Sequence, residues 1–86
     1  NRGRPMVRVQ FFGQVRESAK GKETEVADCA TVDSLLTSLA ERYGSDFLPE
    51  ALIVMVNGRS IAHTGFLRTP LEDGDLVSIF PIIGGG

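Results

Sequence analysis

Ser60, His63 and Asp73 supply, by residue type, a nucleophile, a base and an orienting carboxylate. Acyl transfer by such a set needs the three side chains within mutual hydrogen-bond reach. Their spacing carries no nucleophile-elbow signature, and His63 reads as a solvated residue of a polar connector. Cys29 stands just before a helical pattern, where a thiol can be acidified. Its plainer reading is a small, partly buried apolar residue. Glu72, Asp73 and Asp75 suggest acid–base work or calcium, yet they surround Gly74 in a turn, where Asp serves the local backbone. They offer too few spaced oxygen ligands for a calcium loop. One Cys and one His leave no ordinary zinc or iron–sulfur set.

What remains is the closing stretch FPIIGGG, residues 80–86. Its glycines do not read as a phosphate loop, because no Lys-Ser or Lys-Thr and no helix follows them. An apolar, Pro-stiffened segment instead runs into the least bulky backbone available. Gly85 and Gly86 have no side chains to obstruct entry into a narrow channel of another protein, and Gly86 would present a carboxylate. From Pro81 to Gly86 the extended chain reaches about 20 Å. Phe80, with Phe12 on the same kind of face of the first strand, predicts an apolar patch on the open side of a sheet, a common mark of a partner surface.

The elements that must position this end are read from periodicity. MVRVQFF, 6–12, alternates, with Val7, Val9 and Phe11 on one face. Residues 13–22 carry turn formers, and 23–28 resume a short strand that would make a hairpin with the first. Val32, Leu35, Leu36, Leu39 and Tyr43 share one helical face over 32–43, with Thr31 as N-cap and Gly44 as a left-handed residue after the helix. After a connector at 45–51, the unbroken apolar run LIVMV, 52–56, suits a strand covered on both faces or central in the sheet. Asn57-Gly58 is a turn signal, Ser60-Ile61-Ala62 a short return strand, and Leu76 to Phe80 the last strand. One helix crossing a mixed sheet, with the last strand returning beside the first, is an α+β domain of β-grasp architecture. It spans residues 6–81, with 1–5 an expression scar or frayed leader and 82–86 a flexible Gly-rich tail.

The totals agree with one domain. The chain has 86 residues, 42% of them hydrophobic, and a net charge of −2. Setting aside Arg2 and Arg4 leaves seven basic against eleven acidic residues. That balance argues against nucleic acid and suits a partner with a basic surface. A single cysteine, with no signal-peptide pattern, points to a reducing cytoplasm. No apolar run reaches membrane-spanning length.

The sequence resembles the MoaD/ThiS family of ubiquitin-like sulfur carriers, closest to its molybdopterin-synthase small subunits, the MoaD group. The resemblance covers nearly the whole chain from Met6. It rests on VQFFGQVRE (9–17), TEVAD (24–28), ATVDSLLTSLA (30–40), VNG (56–58) and TPLEDGDLVSIFPIIGGG (69–86). Gly85 and Gly86 align with the family's terminal pair, and Gly84 falls on a variable position. Small subunits of molybdopterin synthase usually show two prolines after the phenylalanine. Here Ile82 follows Pro81, which keeps thiamine-pathway carriers and archaeal carriers that double as protein modifiers in view.

The resemblance implies that the chain binds no cofactor. A partner adenylyltransferase of the ubiquitin-activating type (MoeB/ThiF-like) would use ATP and magnesium to turn the Gly86 carboxylate into an acyl-adenylate. A persulfide from a sulfurtransferase or cysteine desulfurase would leave a thiocarboxylate. The tail would then enter a MoaE-like large subunit of molybdopterin synthase and deliver sulfur for the molybdenum cofactor. Gly86 would react, Gly85 would give clearance, and Phe80, Pro81, Ile82, Ile83, Gly84 and Phe12 would dock. The chain would be a cosubstrate of an enzyme complex and no catalyst alone. Carriage of sulfur in thiamine synthesis or tRNA thiolation, conjugation of Gly86 to lysines, and a non-reacting ubiquitin-like interaction module are the other functions of such a chain.

Overall fold

Alternation builds the first strand. In β1 (Met6–Phe11) Val7, Val9 and Phe11 are buried while Met6 and Arg8 are exposed. A five-residue helix, α1 (Val15–Ala19), then buries Val15 and Ala19, one turn apart. β2 (Glu23–Ala27) returns antiparallel to β1, pairing Val7 with Val26 and Arg8 with Glu25. The computed structural model describes residues 6–82. The expected leader at 1–5 and the tail residues Ile83, Gly84, Gly85 and Gly86 lie outside the described residues.

The long helix α2 (Val32–Tyr43) buries Val32, Leu35, Leu36 and Leu39 along the stripe its spacing predicts. Thr31 caps it, its hydroxyl accepting the Ser34 N–H at 3.2 Å. Two 3-10 turns (Ser45–Phe47 and Pro49–Ala51) lead into β3 (Leu52–Val56). After the Asn57-Gly58 turn come β4 (Arg59–Ser60), two further 3-10 turns and β5 (Leu76–Pro81). Asn57 and Gly58 both have positive φ, +52° and +83°, the twist a two-residue hairpin turn requires.

The sheet runs β2-β1-β5-β3-β4. Every neighbouring pair is antiparallel except β1 and β5, which run parallel with Val9 beside Val77 and Phe11 beside Ile79. One face joins α2 in a single core of Val7, Val9, Phe11, Val26, Val54, Val77 and Ile79 with the helix leucines. This is the ubiquitin-like β-grasp fold, a mixed five-stranded sheet crossed by one main helix. No helix among the described residues is long and apolar enough to cross a membrane.

Four local expectations change. The turn at 13–22 contains α1, whose two buried positions are too few to mark a period. The run at 52–56 is covered on one face only: Leu52 and Val54 are buried, but Ile53 is 47% exposed. β3 does lie inside the sheet, between β5 and β4, but its outward residues form an exposed apolar patch on the open side. The return strand stops at Ser60, because Ile61–His63 winds into a 3-10 turn. Gly44 does have positive φ (+106°), but its ψ of −170° lies outside the left-handed helical region, in a conformation reserved for glycine.

Leu39, fully buried beneath the sheet, should tolerate truncation poorly. Leu39→Ala is expected to cost about 2–5 kcal/mol in urea unfolding, most of what a domain this small has. Leu48→Ala, at an exposed site, is expected to cost less than about 1 kcal/mol.

Candidate functional site: the open face at the end of the last strand

The strand pleat sends Arg8 and Gln10 of β1, Ser78 and Phe80 of β5, and Ile53 and Met55 of β3 to the face away from α2. Polar residues hold one end of this face, where Arg8 lies opposite Glu25. Apolar residues hold the other. Phe12 and Phe80 stack with ring centroids 4.5 Å apart and planes 13° from parallel. Ile53 lies directly across from Phe80. Past Ile53 the apolar surface continues into a groove of about 500 Å³ bordered by Ile61 and Phe66, the latter 62% exposed.

The last described residues leave from this end. Pro81 lies against Gly13: a Cβ on Gly13 would stand 3.1 Å from the Pro81 Cγ, closer than ordinary packing allows. Gly13 also has φ +64°, which a side chain would strain. Ile82 donates its N–H to the Ala51 carbonyl at 3.1 Å, and its side chain is 49% exposed. Of the residues expected from sequence, Phe12, Phe80, Pro81 and Ile82 therefore meet in one place. Ile83, Gly84, Gly85 and Gly86 lie outside the described residues.

Three participants escape sequence reading. Arg16 donates from Nε to the Phe11 carbonyl at 2.9 Å and holds its guanidinium carbon 5.7 Å from the Phe12 ring centroid. Gly13 gives Pro81 its clearance, and Ile53 widens the aromatic patch. Arg16 and Gly13 fall inside the quoted stretch VQFFGQVRE, but only the fold discloses what they touch.

The other candidates are occupied with structure. The Ser60 hydroxyl accepts the Ala62 N–H at 3.1 Å, and Asp73 accepts the Met6 N–H at 2.9 Å. His63 is exposed, and no hydrogen bond joins it to either residue. Asp75 accepts the Glu72 N–H at 2.8 Å and the Asn57 side-chain amide at 2.9 Å, while Asn57 Oδ1 accepts the Leu76 N–H. These carboxylates close the turn that aligns β5 beside β1. Cys29 is buried, its thiol 3.6 Å from the Ala27 carbonyl. Burial, followed by the Asp28 carboxylate, pushes the thiol above its usual 9.0, and Arg42 offsets part of this. That is the opposite of a reactive thiolate.

This end of the molecule thus combines an exposed apolar, aromatic patch with the end of the last strand. The ThiS family model matches residues 9–86, and the chain belongs to the ThiS family of ubiquitin-like sulfur carriers. It is 38% identical to small archaeal modifier protein 3 of Haloferax volcanii, over 91% of this chain and 96% of that one. The solution structure of small archaeal modifier protein 1 from Methanosarcina acetivorans superposes with a TM-score of 0.84 at 26% identity, covering 98% of this chain and 99% of that one. A chain from the complex of subunits 1 and 2 of the molybdopterin-converting factor of Helicobacter pylori matches with a TM-score of 0.66 at 30% identity, over 94% and 99%. Small ubiquitin-like carriers of this kind are non-catalytic on their own.

The raised Cys29 thiol gives a pH prediction. The unfolded chain loses this proton first as pH rises, so the native state binds more protons in that window. The stabilisation is complete below the unfolded thiol value and is lost as pH rises through the folded one. Cys29→Ser should therefore flatten the alkaline fall of the urea midpoint above about pH 8.5. Iodoacetamide should alkylate Cys29 in the native protein far more slowly than in urea.

Proposed function

We propose that this chain is a sulfur carrier whose Gly86 carboxylate is adenylated and then thiocarboxylated to supply sulfur for molybdopterin synthesis. The observation that carries the reading is the convergence of Phe12, Phe80, Pro81 and Ile82 at the strand end from which Gly85 and Gly86 follow. Its fit to the Helicobacter pylori complex supports a two-protein assembly as the place of sulfur delivery.

A carboxylate is a poor electrophile until one oxygen becomes a good leaving group. In a ubiquitin-activating-type adenylyltransferase, with ATP and magnesium, the Gly86 carboxylate attacks the α-phosphorus and pyrophosphate leaves. The terminal sulfur of a persulfide, held by a sulfurtransferase or cysteine desulfurase, then attacks the acyl carbon and AMP departs. A second thiol reduces the resulting acyl disulfide and releases the thiocarboxylate. The chain's own part is positional: Phe12, Phe80 and Ile53 dock, Pro81 and Ile82 direct the exit, Ile83 and Gly84 continue it, and Gly85 fits the channel. A large subunit of molybdopterin synthase then accepts the tail.

The second reading is conjugation of Gly86 to lysine amines, and it is favoured by the 38% identity to an archaeal modifier protein. Both readings share the acyl-adenylate and part at the acceptor.

Incubation with ATP, magnesium, the host adenylyltransferase and a persulfide donor should place sulfur at Gly86. Fragment-ion mass spectrometry is required, because exchange of oxygen for sulfur is nearly isobaric with oxidation of Met6, Met55 or Cys29. Deleting Gly86, or adding residues after it, should abolish the product. Gly85→Ala should leave thermal stability unchanged and slow transfer at least about tenfold. Full transfer from an extended chain would overturn both readings in favour of a non-reacting interaction module. Lysine-linked adducts without pterin sulfuration would establish the modifier.

A further inference from the structure

We propose that Arg16 is a positioning residue for the reactive tail, clamping the loop after β1 so that it fixes the direction in which Ile82 leaves the domain. The inference rests on the carrier reading above for its consequence in activation, but its structural part stands alone.

The need for a clamp follows from the ladder. Pairing of β1 with β5 ends at Phe11 beside Ile79, with a final bond from the Phe12 N–H to the Ile79 carbonyl at 3.0 Å. Beyond that point Phe80 and Pro81 have β3 on one side, Ile82 bonds Ala51 just before β3, and no strand lies on the other side. Pro81 adds no donor of its own. What covers the open side is the Phe12 ring against Phe80 and the Gly13 backbone against Pro81. Both belong to the short turn between β1 and α1, and that turn holds the strand end only if it is itself held.

Arg16 holds it. Its Nε–H bonds the Phe11 carbonyl at 2.9 Å, one residue before the stacked ring, and its guanidinium lies over the Phe12 ring at 5.7 Å. A planar fork donates to a carbonyl and lies on an aromatic face at once; an ammonium on a flexible stem does not reproduce both. The side chain is exposed and contributes nothing to the buried core, so its removal tests direction apart from folding. An undirected strand end weakens productive engagement with the activating enzyme without altering the acyl chemistry.

The test compares Arg16→Lys and Arg16→Met with the parent chain. Amide exchange at Ile82 is read by NMR, with Val9 and Val77 as core references in the same spectra. Both variants should exchange Ile82 about five- to tenfold faster while the core references and thermal midpoint stay near the parent. In ATP–pyrophosphate exchange with the host adenylyltransferase, the KM for the carrier should rise about fivefold or more with kcat retained. Parental exchange at Ile82 in Arg16→Met would overturn the clamp. So would a raised KM with unchanged exchange, which would mean that Arg16 touches the enzyme directly. Complete rescue by Arg16→Lys would also overturn it, since charge alone would then suffice. If the parent chain is not adenylated at all, the carrier reading fails while the exchange experiment still decides the clamp.

Discussion

The parallel pairing of β1 with β5 joins the two ends of the sequence in one core. Arg8 lies beside Leu76 and Phe11 beside Ile79, so Val7, Val9, Val77 and Ile79 are carried together beneath α2. Parallel strands cannot be joined by a tight turn, and the segment between them supplies the helix, β3 and the 3-10 turns. The same pairing sets where the chain leaves. β5 enters through the acidic turn at 72–75 and emerges at the far end, beside the start of α1. Moving the register by one residue would exchange Ile79 for Phe80 in the core and turn that aromatic inward.

That constraint also explains what the polar residues do. Asp73 and Asp75 look like catalytic carboxylates in sequence. In the fold they satisfy backbone N–H groups of Met6 and Glu72, and Asn57 does the same for Leu76. Each bond secures an end of β1 or β5. Backbone donors at turns and strand ends lack a ladder partner, and short Asp and Asn side chains supply one locally. Ser60 and Cys29 are likewise turned to local bonding and packing. These groups are employed in holding the fold, which is why the proposed chemistry is placed at Gly86 and not on them.

Much of this was legible because periodicity reports the side of an element directly. Val7, Val9 and Phe11 alternate, and the leucines of α2 recur at helical spacing. Phe12 and Phe80 could be placed on one open face by counting. The exposure of Ile53 escaped because an unbroken apolar run hides its own alternation; only the single covering helix shows that one side is bare. α1 escaped because Val15 and Ala19 make a single i, i+4 pair among turn-forming residues. The Arg16 contacts depend on that unread helix, which curls the side chain back toward Phe11. A contact between a side chain and a backbone carbonyl leaves no period in a sequence, so Arg16 and Gly13 were less visible than the aromatic pair beside them.

The placement of stability and function in different parts of the molecule has a physical consequence. The fully buried residues belong to the sheet's inner face and to α2, with Phe47 beside them. On the open side Ile53 and the strand-end residue Ile82 are 47% and 49% exposed and Phe80 is stacked on Phe12, and a surface apolar group loses little on truncation. The open face is therefore separate from the packing that holds the fold, so contacts made there would not compete with the core. The cost is that the strand end is paired with a strand on one side only, and weaker contacts lie on the other. Stacking of Phe12 on Phe80, the close fit of Pro81 on Gly13 and the cation over Phe12 are each modest, but two of them fall on adjacent residues of the strand end and the third on the ring that stacks there. On the proposed clamp, direction at the exit rests on this small surface assembly and not on the β-grasp core beneath it.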